Sequence, residues 1–227
     1  MLLSRWRYYL ASIPTLFTGI RNWPVMLAVF VGVPLRKPID IHLRNGCRFR
    51  VRSRMDIWVI KETCLDRDYE RHGVPLRDGW TVIDIGGWVG DFAICTARAF
   101  PGSTVYVFEP FPETFARLQE NLALNGVANV RAFPLAITGT AGRVALDPTP
   151  GATVLHTTSS AEEPDPEVQA AEAITLADIF ERYNLESCDF LKIDCEGGEY
   201  DILFNTDPQT LAKIRHICLE YHEGVTP

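Results

Sequence analysis

Short runs of apolar residues, each closing on an acid or a glycine turn, alternate with segments of helical period through most of the chain. Val82, Ile83 and Ile85 suit a buried parallel strand, and Phe92 to Cys95 suits the start of a helix behind it. Thr104 to Phe108 reads as a second strand ending in Glu109-Pro110. Pro112 to Asn125 sets Phe115, Leu118 and Leu122 on one helical face and stops at Asn125-Gly126. Val130 to Leu135 is a third strand, followed by Ala136-Ile137, and Thr175-Leu176-Ala177-Asp178 is a capping box opening a helix to about Tyr183. Phe190 to Asp194 is a fourth strand, Glu199 to Asn205 a short helix, and Ile214 to Tyr221 a fifth strand. Strands alternating with helices predict an α/β, doubly wound, mostly parallel sheet with ligands at the strands' C-terminal ends. The charged and glycine-rich positions fall at those ends.

The pattern differs before Met55. Tyr8 to Ile20 and Trp23 to Leu35 are apolar stretches broken by Pro14, Pro24 and Pro34, each too short to span a bilayer. Cys47, Phe49 and Val51 alternate with Arg48, Arg50 and Arg52, which predicts a strand paired in a hairpin with Ile39-Ile41-Leu43 across a turn at Arg44-Asn45-Gly46. Asp56 is expected to cap a helix reaching about Arg67. Between Asp147 and Ala173 the pattern dissolves into Pro, Thr, Ser and Glu, which reads as a long loop. From there His156-Thr157-Thr158-Ser159 is placed to contact a substrate, and Glu162 to Gln169 reads as mobile surface.

The chemistry concentrates in VIDIGGWVGDF, Val82 to Phe92. Gly86, Gly87 and Gly90 let a turn run close to a ligand, and the helix start behind it offers unpaired N–H groups. Glu109, at the tip of the second strand, is placed to accept hydrogen bonds from both hydroxyls of a ribose. Bulky Trp88 breaks the G-x-G-x-x-G spacing of a dinucleotide site and argues against a nicotinamide oxidoreductase; the chain also has no Walker sequence. Asp84 before the first glycine, with Glu109, fits S-adenosylmethionine instead: Asp84 near the ammonium end, Glu109 on the ribose. A strand–turn–helix holding no ligand is the bland alternative.

DIGGWVGDF, VFEPFPETF, FLKIDCEGGEYDIL and ICLEYHE together resemble the FkbM family of S-adenosylmethionine-dependent methyltransferases, from about Met55 to the end. The resemblance implies a Class I methyltransferase (Rossmann-like) fold and methyl transfer, commonly to a hydroxyl of a sugar, glycolipid or natural product. It divides the chain into an extension over 1–54 and a methyltransferase domain over 55–227. It carries the cofactor motif onto Asp84, Gly86, Gly87, Trp88, Gly90, Glu109 and Pro110, the adenine side onto Ala136, and the acidic block onto Asp194 and Glu196. Trp88 stands where many members have Asn. The fold's seven-stranded sheet ends in an antiparallel hairpin after strand five, and this chain stops just past strand five. The resemblance therefore implies either a chain cut short, with an open sheet edge, or a sheet completed by other means, and the first is the expectation.

Methyl transfer from a sulfonium needs an aligned nucleophile, and a sugar hydroxyl needs a base to become one. Asp194, Glu196, Glu220 and His222 are the groups at the tips of strands four and five. His222 suits the base because its ordinary pKa lies near neutrality; its bland reading is a polar residue on a terminal loop. Asp194 would position substrate or the cofactor amine, and Glu199 reads as a helix cap. Lys192, on a central strand, needs a partner if buried, and Asp194 lies on the same strand face. The ligand types at Asp194, Glu196 and His222 permit a divalent ion, yet no tight metal spacing occurs and no metal site is assigned.

With 227 residues, 47% of them hydrophobic, the chain can bury one sizeable core. Its six Cys show no CxxC spacing and read as buried thiols of a reducing, cytoplasmic setting, with Cys195 a packing residue. Charge is split: ten Lys and Arg against one acid up to Arg54, then twelve against twenty-eight, for a net −7. The acidic remainder argues against nucleic acid as partner and suits a cationic cofactor and a small-molecule or glycan acceptor. Residues 1–35, basic and rich in Trp6, Tyr8, Tyr9, Phe17 and Trp23, fit either peripheral membrane contact or helices folded on the domain, covering the cofactor or forming a homodimer. An RNA or protein methyltransferase and a non-catalytic cofactor-binding module remain as alternatives.

Overall fold

The structure is a computed structural model that describes residues 12–33, 39–71, 73–146, 155–156, 169–195 and 197–220. Its main sheet has five parallel strands, β3 (Thr81–Ile85), β4 (Thr104–Phe108), β5 (Val130–Phe133), β10 (Phe190–Ile193) and β11 (Ile217–Leu219), in the order β11-β10-β3-β4-β5. The chain winds outward from β3 through β4 to β5, then returns to place β10 on the other side of β3. That reversal is the switch point where ligands of open α/β sheets bind. The sheet is the doubly wound parallel one expected of a Rossmann-like Class I methyltransferase fold. Strands β3, β4 and β10 are buried on both faces, which is why they read as continuous apolar runs.

Helix α5 (Asp91–Ala99) follows β3, and α6 (Pro112–Asn125) follows β4, ending on Gly126 in the left-handed region. Helix α7 (Leu176–Arg182) opens with the expected capping box of Thr175 and Asp178. Beyond β10 come α8 (Glu199–Phe204) and α9 (Pro208–Leu211) before β11.

The hairpin forms as expected: β1 (Ile39–His42) pairs antiparallel with β2 (Arg48–Val51), and Gly46 takes φ +92 in the turn. It docks on α6, where the amides of Arg50 and Arg48 donate to Oδ1 of Asn121 (2.7 Å) and of Asn125 (2.9 Å). Residues 12–19 are helical (α1), α2 spans Trp23–Phe30, and Ile20 bridges to Leu43. Leu16, Ile20, Met26, Ile41, Phe49, Ile57 and Ile60 form one buried cluster that reaches Ile94 of α5. The N-terminal helices thus pack on the domain at its α5–α6 flank.

Four local expectations need correction. Ser53, not Asp56, is the N-cap of α3 (Arg54–Ile60); Asp56 is the reciprocal third residue of the box. The helix then changes to a π-helical turn, Lys61–Asp66, ending at Arg67 in the left-handed region. Within this turn buried Lys61 pairs with Asp66 and donates to Ser12 Oγ at 2.7 Å. The region expected to be one long loop holds strands β8 (Leu155–His156) and β9 (Ala170–Ile174). With β6 (Ala136–Ile137) and β7 (Gly142–Ala145) they make a second sheet, ordered β6-β9-β7-β8. The β9 sequence, Ala-Ala-Glu-Ala-Ile, has little intrinsic strand preference, and its pairing on both sides overrides that. Residues 157–168 lie outside the described residues.

Cys64 of the π turn and Cys95 of α5 form a disulfide, 31 residues apart, where six thiols were expected. No local spacing announces it, because the pairing follows from packing the π turn on α5. Cys47 lies against this bridge, 3.6 Å from Cys95 Sγ, and burial pushes its thiol up to about 11.

Candidate functional site

Asp84 and Ile85 end β3, and the glycine turn carries the chain into α5. Gly86 has φ +82, and a Cβ there would lie 1.8 Å from the backbone oxygen of Asp194. The tips of β3 and β10 can approach only because this residue is glycine. A Cβ on Gly87 would fall 2.2 Å from the Val107 side chain. The amides of Gly86 and Gly87 both donate to the Phe108 carbonyl at 3.0 Å, and Gly90 N–H donates to Gly87 O at 2.8 Å. These turn amides are therefore engaged inside the protein, and the glycines act through close approach, not by offering their own N–H groups.

Trp88 takes φ 44, a left-handed conformation that a bulky residue seldom adopts. Its N–H donates to Glu109 Oε2 at 3.0 Å, its indole is 39% exposed, and the Arg117 guanidinium sits 5.4 Å over the ring. Asn tolerates this backbone region better than Trp, which gives a physical sense to the departure at this position.

Glu109, at the tip of β4, is buried. Its Oε1 accepts from Phe111 N–H at 3.0 Å while Oε2 accepts from Trp88. The carboxylate thereby ties the glycine turn to the start of α6 and keeps further lone pairs for a ligand. Burial pushes its carboxyl up to about 7, against the pull of the Phe111 and Trp88 amides.

Behind the turn lies a buried charge cluster. Asp84 is fully buried, and Lys192 Nζ donates to its Oδ1 at 2.9 Å and to Gly86 O at 3.0 Å. Lys192 lies 3.6 Å from Asp194 Oδ2. Its first partner is thus Asp84, on the neighbouring strand, and Asp194 comes second. Burial pushes the Asp84 carboxyl up to about 6 despite Lys192. Burial alone would lower the Lys192 ammonium, yet Asp84 and Asp194 hold it above its ordinary value. Asp91, the first residue of α5, is buried beside them and is also raised by burial. Asp84 Oδ2 is buried and has no hydrogen-bond partner among the described residues. Several acids around one lysine, one with an orphaned oxygen, suit a ligand that brings a cation and a donor.

Tyr69, in α4 (Asp68–Arg71), escaped the sequence reading. Its hydroxyl donates to Asp194 Oδ2 at 2.6 Å, and its ring meets Phe92 edge-on at 5.4 Å. No local pattern marks it, since α4 is a single polar turn. Glu199 accepts from the amides of Cys195 and Gly197, both at 3.1 Å, so it holds the loop leading into α8. Cys195 packs at the edge of a core cluster.

Asp84, Gly86, Gly87, Trp88, Gly90, Glu109 and Asp194 thus converge on the switch point, with half-buried Pro110 opening the loop after Glu109. Ala136 is buried in β6, paired to β9 in the second sheet. Glu196 and His222 lie outside the described residues, as does any ion-binding set that needs them.

A family model, the Methyltransferase FkbM domain, matches residues 84–225. The chain is similar to the 31-O-demethyl-FK506 methyltransferase FkbM of Streptomyces tacrolimicus, 28% identical over 73% of this chain and 74% of that one. It is similar to the hexuronic acid methyltransferase AglP of Haloferax volcanii, 26% identical over 92% of this chain and 82% of that one. A solved structure of methyltransferase FkbM from Methylobacillus flagellatus KT aligns with TM-score 0.43 at 18% identity, over 60% of this chain and 32% of that one. With the family model covering the β3 turn, Glu109 and the acidic block at the tip of β10, the chain belongs to the FkbM family of methyltransferases.

Proposed function

We propose that this methyltransferase uses S-adenosylmethionine to methylate a hydroxyl oxygen on a sugar, glycolipid or natural product. The observation that carries the cofactor is the orphaned, buried Oδ2 of Asp84 beside Glu109, at the tips of adjacent strands. Asp84 and Asp194 suit the ammonium of the cofactor's methionine, and the Glu109 carboxylate suits both ribose hydroxyls. Bound there, the cofactor supplies a methyl group already activated on a sulfonium. The protein's task is then to orient an acceptor and remove its proton. His222, helped by Asp194 and Glu196, is the proposed base, because imidazole takes a proton near neutral pH. The relatives named for FK506 and hexuronic acid act, by those names, on oxygen-rich acceptors, which supports the acceptor class. The acid surplus of the site counts against a nucleic-acid acceptor.

The test is calorimetric titration of S-adenosylmethionine and S-adenosylhomocysteine into wild type and Glu109→Gln. Glutamine keeps one carbonyl acceptor for a backbone amide but loses the charge that favours the ribose. Binding by wild type, weakened by roughly tenfold or more in the variant, is expected. Folded wild type that binds neither ligand would sink the reading.

A further inference from the structure

The N-terminal helices carry apolar side chains that nothing among the described residues covers. On α1 and the turn beyond α2, Ile13, Phe17, Val31 and Val33 are exposed, and on α2 so are Trp23 and Leu27. Val31 reaches 69% exposure, and Phe17 and Trp23 pair at 5.3 Å where the two helices meet. Helix α2 reads Trp-Pro-Val-Met-Leu-Ala-Val-Phe, without one polar side chain, and only Met26 and Val29 are buried. An apolar surface of this extent on a water-facing helix calls for a partner.

We infer that this face docks in the interfacial layer of a bilayer rich in anionic lipid. Charge selects this partner over the alternatives. From Ser12 to Val33 there is no acid, and the one charged residue is Arg21. The amide of Arg21 donates to His42 O at 2.7 Å and that of Arg44 to Gly19 O at 2.8 Å, so both exposed arginines flank the junction of the helices with the hairpin. Apolar and aromatic side chains beside basic ones are what an anionic interface accepts. A dimer formed through the same face would bring like charges together, because the one acid of the described helices and hairpin, Asp40, is already paired with Arg50. The rest of the chain is strongly acidic, so an anionic surface repels it and confines contact to this end. Among the described residues no helix is long and apolar enough to cross a membrane.

The test is co-sedimentation of the full chain with phosphatidylcholine vesicles, with and without phosphatidylglycerol. Wild type is expected to bind the anionic vesicles at least roughly tenfold more tightly than the neutral ones, with loss at high salt. The triple variant Trp23→Ser, Leu27→Ser, Val31→Ser should lose that binding, and its changes are exposed, so its far-ultraviolet circular dichroism and urea midpoint should stay close to wild type. Should it nevertheless unfold, Arg21→Glu with Arg44→Glu leaves the apolar core untouched and must weaken anionic binding in the same way. Indifference of wild type to anionic vesicles overturns the inference. So does a wild-type dimer in sedimentation velocity that the triple variant dissolves. Cofactor titration is independent of this face, so either result leaves the proposed function standing.

Discussion

The Tyr69 hydroxyl donates to Asp194 Oδ2 at 2.6 Å, joining residues 125 apart in the chain. Tyr69 thereby fixes the orientation of the acid that closes β10, and Lys192 Nζ lies 5.0 Å from its ring centroid and 3.6 Å from the same Oδ2. Burial, then the neighbouring Asp194, raise the phenol well above its ordinary range, so it remains a donor. Tyr69→Phe keeps the ring against Phe92 and removes only this bond. A stability loss of about 1.5–3 kcal/mol in urea is expected, with weaker cofactor binding. Unchanged binding would assign Tyr69 to packing alone.

Gly86 and Gly126 separate two costs of adding a Cβ. Both have positive φ, but a Cβ on Gly126 meets nothing within 4 Å, whereas on Gly86 it meets the Asp194 backbone. Gly126→Ala should cost about 1–2 kcal/mol, the penalty of the left-handed region alone. Gly86→Ala should cost at least about twice that and abolish cofactor binding, because β3 and β10 would have to part. Urea denaturation of the two variants gives the comparison directly.

Glu109 links pH to both stability and binding. Its carboxyl sits at about 7 in the fold against an ordinary 4.5, so the folded state holds the proton more tightly. The resulting stabilisation is fully present below the unfolded value and is lost as pH rises through about 7. Asp84, raised to about 6, acts in the same sense. Under the proposed function ribose hydroxyls would donate to the ionised carboxylate, so cofactor binding would oppose this trend. Affinity for S-adenosylmethionine should rise between about pH 6 and pH 8, by at most about tenfold per unit. Calorimetry in buffers of different ionisation enthalpy should show proton release on binding; a flat profile would remove Glu109 from the contact.

The disulfide yields a thiol count. Under denaturing, non-reducing conditions four thiols should react, Cys47, Cys188, Cys195 and Cys218, and all six after reduction. Reduction should lower stability by about 2–4 kcal/mol, since the bridge closes a loop of moderate length. Six reactive thiols without reductant would show Cys64 and Cys95 to be unbonded.

Local pattern alone determined a good part of this protein. Apolar runs located β3, β4 and β10, helical spacing and Asn125-Gly126 bounded α6, and alternation with a glycine turn identified the hairpin. Because side chains at strand tips are set by position in the strand, the placement of Asp84, Glu109 and Asp194 at the tips of β3, β4 and β10 was also legible. What only the tertiary structure decided involves partners distant in sequence: the Lys192–Asp84 pair, the Tyr69 bond, the Cys64–Cys95 bridge and the pairing of β9 with both β6 and β7. Periodicity reports which face of one element is apolar, not which element will cover it. That choice is made by packing, where burial of a charge forces a partner and a pairing edge can impose strand on a segment rich in alanine.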